Sequence, residues 1–74
     1  KDNYVPNLGE YDENLDLRFL NALISHHELG VEMADETKLK SSRNEILNDA
    51  NAVGEFLSNG VIMLKEWRKN WYNI

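Results

Sequence analysis

The stretch DLRFLNALISHHELGVEMA, Asp16 to Ala34, decides how this chain is read. Leu20, Leu23, His27, Gly30 and Ala34 recur at spacings of three and four, the period of one helical face. An adjacent pair, His26 and His27, sits in the middle, and one of the two falls on the stripe that a helix would bury. Arg18, Asn21, Ser25, Glu28, Glu32 and Glu36 occupy the other side, which reads as a solvated face.

Upstream, Asn14 is a candidate N-cap, with Asp12 as its competitor, and Asp16 complements the helix dipole. Downstream, ETKLK at 36–40 closes the helix with positive charge. Helix 1 is therefore expected over about 14–39. Residues 1–13 are turn-rich, with Asn3, Pro6, Asn7 and Gly9 among Tyr4, Val5, Leu8 and Tyr11, and read as an extended arm, either laid over the helices or a partly ordered tail.

Ser42 followed by Glu45 forms an S-x-x-E capping box ahead of Ile46-Leu47, which predicts helix 2 over about 42–72 after a tight connection near Lys40-Ser41. Its stripe is Ile46, Ala50, Val53, Leu57, Gly60, Leu64, Trp67 and Trp71, alternating steps of four and three. A 3.5-residue average favours left-handed, antiparallel bundle packing. Asn59-Gly60 is a turn signal, but the heptad phase passes through it without a slip, so one continuous helix is expected at the cost of about 1 kcal/mol for an interior glycine.

The fold expected is therefore all-α: residues 14–74 form an antiparallel helical hairpin. Helices of roughly 36 and 45 Å, at 1.5 Å per residue, cannot bury both stripes in an isolated hairpin. At 74 residues the chain is also near the size where one core is marginal. Two hairpins pairing into a four-helix bundle solve both problems, which predicts a homodimer.

Composition removes several classes of function. A net charge of −5 and no basic run longer than Arg68-Lys69 argue against nucleic-acid binding. Absence of cysteine removes disulfides and thiolate chemistry. The longest apolar run, Val61 to Leu64, is far too short for a membrane span. The chain begins at Lys1 rather than Met, as expected if a signal peptide or another preceding segment has been removed.

The candidate chemistry lies at the histidines. No H-x-x-x-H pair and no E-x-x-H surrounds His26 or His27, so a catalytic di-iron carboxylate centre is not expected, nor is an enzyme. Met33 lies seven residues after His26 on the same flank, and imidazole with thioether suits copper. His26, His27 and Met33 are thus the candidate metal ligands, to be completed from the other helix or a partner subunit. The competing reading makes His27 a hydrogen-bonded core histidine and Met33 a gap filler. Trp67, Trp71 and Tyr72 read as core and end-cap packing rather than a ligand platform, and Lys65, Arg68 and Lys69 as a dipole-complementing last turn. Ser25 beside His26 is no nucleophile–base pair, because the two point apart on one helix.

Asp16-x-x-Phe19, then Leu23-Ile24-Ser25-His26-His27 and Gly30-Val31-Glu32-Met33-Ala34, resembles the pattern D-x-x-F-x-x-x-M-I-x-H-H-x-x-A-[IV]-x-M-A of the bacterial domain-of-unknown-function family three-oh-five. The resemblance extends over about 14–72, since Ala50, Val53, Val61, Trp67 and Trp71-Tyr72 suit that family's second helix. It implies a ferritin-like helical fold, export to the periplasm or cell envelope, and copper binding as in some members. The departures weigh against the last point. Leu23 replaces a methionine, and Leu57, Gly60, Val61, Leu64 and Trp67 stand where the second helix reads Q-x-x-E-I-x-x-M-x-x-W. The second reading implied is a non-catalytic structural or interaction module that has lost the metal site.

Overall fold

In a computed structural model, which describes residues 8–74, the chain is a hairpin of two helices, α1 (Leu15–Lys40) and α2 (Asn44–Tyr72). The first seven residues of the expected arm lie outside the described residues. α2 runs unbroken through Asn59-Gly60. No helix among the described residues is long and apolar enough to cross a membrane.

The helix ends follow local chemistry. Asn14 stands at the N-cap of α1 but makes no side-chain cap bond; instead its own N–H donates to Asp12 Oδ1 at 2.9 Å, and Leu15 N–H donates to the Asp12 carbonyl. Arg18 then ties the arm to the helix. Its Nε donates to the Leu8 carbonyl, its Nη2 to the Glu10 carbonyl at 2.5 Å, and its guanidinium pairs with Asp12 at 3.1 Å. Arg18 was expected on the solvated face, yet it is half-buried in this clamp.

The expected capping box at Ser42 is not formed. The connection is 41–43, the N-cap of α2 is Arg43, and the hydroxyl that bonds backbone belongs to Ser41, which accepts from Arg43 N–H. Extended Ser41, at φ −85° and ψ 148°, ends α1, and the N-cap of α2 falls one residue further along than the motif implies. At the other end Asn73 closes α2 in the left-handed region, at φ 57°, with its N–H on the Lys69 carbonyl.

The core is small. Leu20, Ile24, Ala34, Ala50 and Leu64 are its buried apolar residues, with Leu23, Val61 and Tyr72 half-buried against it. Ile24 was absent from the expected α1 stripe, whereas Leu23, His27 and Gly30 are only half-buried. On α2 the expected stripe splits. Ala50, Leu57, Gly60 and Leu64 turn towards α1, while Ile46, Val53, Trp67 and Trp71 do not. The α1-facing line is completed by Leu47, Gly54, Val61, Arg68 and Tyr72.

Two glycines permit close approach, one on each helix. A Cβ at Gly30 would meet Leu57 Cδ1 at 2.5 Å, and a Cβ at Gly60 would meet His27 Cδ2 at 2.9 Å. Each helix thus receives a side chain of the other where it lacks its own, one turn apart.

Candidate functional site

The two faces of the hairpin differ in kind. On one, polar side chains cross between the helices: Lys65 Nζ pairs with Glu28 Oε2 at 3.2 Å, and Arg68 Nη1 donates to Asn21 Oδ1 at 2.7 Å. Asn21 and Glu28, expected to face water alone, are therefore spent on bridging to α2. A shallow depression on this side is lined by Val31, Asp35, Lys38, Asn51, Gly54 and Ser58, a mixed surface.

The other face is apolar. Near the connection it holds a groove of about 210 Å³ lined by Gly30, Met33, Ala34, Ile46, Ala50 and Val53, with Thr37 and Asp49 as its polar members. The heptad step carries this face along α2 from Ile46 and Val53 through Gly60 to Trp67, with Phe56 and Met63 beside it and Trp71 one turn on. Along α1 the same step links Met33 to His26 and Phe19. These are exposed large hydrophobics: Phe19 is 49%, Val53 49%, Met33 69% and Trp71 59% accessible. Trp67 and Trp71 stack on each other, ring centroids 5.6 Å apart and planes 11° from parallel, instead of entering the hairpin core.

The metal-ligand candidates do not converge within one hairpin. His27 lies between the helices, its Nδ1–H on the Leu23 carbonyl at 2.9 Å. That bond sets the tautomer and leaves the lone pair on Nε2, which sits over Gly60. His26 is exposed beside it, about 100° round the helix, and Met33 stands on the apolar face at the groove. Among the described residues no group of three or more His, Cys, Asp or Glu is placed to hold a metal ion.

Among the described residues, the arm clamp shifts the protonation of its own carboxyl. The Asn14 backbone N–H, and then Arg18, hold the Asp12 carboxyl below its ordinary value. This clamp and the polar stitching were missed by sequence reasoning, though Arg18 and Asn21 stand at the edge of the α1 stripe, where long polar side chains can reach across.

Comparison with known proteins gave no match to a family model, a curated protein or a solved structure.

Proposed function

We propose that this chain is a non-catalytic helical interaction module whose work is done by its apolar face, and that two copies pair through that face as a homodimeric four-helix bundle. The observation that carries the reading is the asymmetry of the hairpin: one face is stitched by Glu28–Lys65 and Asn21–Arg68, and the other carries most of the exposed large apolar side chains, Phe19, Met33, Ile46, Val53, Phe56, Met63, Trp67 and Trp71. Domains are built from at least two packed layers around a core. This hairpin is one layer, 13 Å across its thinnest direction, about the diameter of a helix with its side chains.

Area supports the same reading. The chain exposes 5915 Å², about 1200 Å² more than the roughly 4700 Å² of a compact monomer of 8.6 kDa. One side of a standard interface covers about 800 Å². Sedimentation equilibrium of the wild type and of Val53→Lys tests the proposal. A dimer that the lysine converts to monomer is expected; a wild type that stays monomeric at about 100 μM, a self-association weaker than about −5.5 kcal/mol, contradicts it.

A second reading is kept for one observation. The Leu23 carbonyl holds His27 in the tautomer of a metal-ligating imidazole, and His26 and Met33 lie near the face where a second copy would supply further ligands. A soft metal such as copper, bound across two copies, would then be the cargo of an exported protein, as the family resemblance implies. Copper(I) titration of wild type and of a His26→Ala, His27→Ala double variant separates the readings: binding lost in the variant favours the metal site, and equal heats in both remove it.

A further inference from the structure

Resting on the apolar face being the docking surface, we infer that its occupant is a second copy of this chain in one arrangement: the two hairpins face each other with their connections at opposite ends, α2 antiparallel to α2 across a two-fold axis at Asn59-Gly60.

The face is built unevenly along its length, and the unevenness is self-complementary. At the connection end it is hollow, the groove between Met33, Ala34, Ile46, Ala50 and Val53. At the open end it is raised, where Trp67 and Trp71 form one stacked ridge. A two-fold axis can relate the hairpins in two ways. With connections together, ridge meets ridge at one end and hollow meets hollow at the other, leaving a void and an overfilled end. With connections apart, each ridge enters the other copy's hollow, which satisfies close packing at both ends.

The register follows from the heptads of α2. Val53 and Trp67 are equidistant from Gly60, while Phe56 and Met63, and likewise Asp49 and Asn70, are equidistant from the Asn59-Gly60 peptide. Rotation about that centre therefore sets Trp67 of one copy against Val53 of the other, and Phe56 against Met63, a thioether–aromatic pairing. Asp49, the acidic group lining the groove, meets Asn70, whose amide N–H can donate to it. On α1 the same axis passes at the height of His27, because His27 lies over Gly60. The surface is isologous, as a closed dimer requires.

The absence of native cysteine makes the test clean. Asp49→Cys and Asn70→Cys are prepared separately in the full chain, both at exposed polar positions, with helicity checked by circular dichroism. In this arrangement like positions of the two copies are about 32 Å apart along the axis, at 1.5 Å per residue, whereas Asp49 of one copy adjoins Asn70 of the other. Oxidation of an equal mixture is expected to give at least tenfold more disulfide-linked dimer than either variant alone. Linked dimer from Asn70→Cys or Asp49→Cys alone, or none from the mixture while sedimentation still reports a dimer, overturns the arrangement and leaves the docking face standing. A monomer by sedimentation overturns both.

Discussion

The imidazole of His27 occupies the space that a side chain at position 60 would fill, with Cδ2 2.9 Å and Nε2 3.1 Å from the site of a Cβ on Gly60. The ring cannot simply swing aside, since its Nδ1–H is committed to the Leu23 carbonyl. A residue that looked like a candidate ligand and one that looked like a helix breaker are thus halves of one packing contact.

That contact gives a prediction whose sign changes with background. Gly60→Ala should gain up to about 1 kcal/mol in helix propensity but lose about 1–3 kcal/mol by overpacking against the ring, a net destabilisation in the wild type. In a His27→Ala background the clash is gone and the same substitution should stabilise. Urea unfolding of the four-member cycle measures both; a Gly60→Ala effect unchanged by His27→Ala would show that the ring does not set it.

Gly30→Ala should behave likewise against Leu57, whose Cδ1 lies 2.5 Å from the required Cβ. Leucine has more freedom to change rotamer than the anchored imidazole, so the loss should be the smaller of the two, roughly 1 kcal/mol. Thermal melts of the two alanine variants side by side give the order, and a Gly30→Ala loss exceeding that of Gly60→Ala would reverse it.

The arm clamp predicts a pH effect. Asp12 is held below its ordinary value by the Asn14 N–H and by Arg18, so the folded state favours its ionised form. Its contribution is present above the ordinary aspartate value of about 3.9 and is lost as pH falls through the lower, folded value. Arg18→Met should raise the Asp12 titration midpoint towards the ordinary value and free the Leu8 and Glu10 carbonyls. Carboxyl-carbon NMR across the acid range follows it; the same midpoint in both proteins would leave Arg18 without that role.

The stacked pair at the open end is the expected centre of binding energy. Trp67→Ala should weaken association by about 2 kcal/mol or more, as for a buried aromatic anchor, while changing hairpin stability less, because Trp67 lies outside the core of Leu20, Ile24 and Leu64. Sedimentation and monomer-concentration melts together separate the two effects; an equal loss in both would place Trp67 in the core after all.

How far the sequence carried the account differs by element. The period of Leu20, Ala34, Ala50 and Leu64 located two helices and an all-α hairpin, because apolar spacing is set by helix geometry. The in-phase heptads also located α2 as continuous through Gly60. Periodicity cannot say which flank of a broad stripe meets the neighbouring helix, so Val53, Trp67 and Trp71 read as core with Leu57 and Leu64. The capping box failed for a related reason: Ser41 and Ser42 are both competent oxygens, and the path of the turn chose Ser41. Of the candidate ligands, the spacing of His26 and Met33 gave a shared flank, but no sequence pattern predicted that His27 would be seated on a glycine.

Isotope-filtered NMR on a mixture of labelled and unlabelled chains addresses the central claim most directly, since it sees only contacts between copies. Intermolecular signals from the Trp67 and Trp71 rings to the methyls of Met33, Ile46 and Val53 are predicted. Signals confined to the face of Glu28, Lys65, Asn21 and Arg68, or none at all in a sample of monomeric mass, would contradict it.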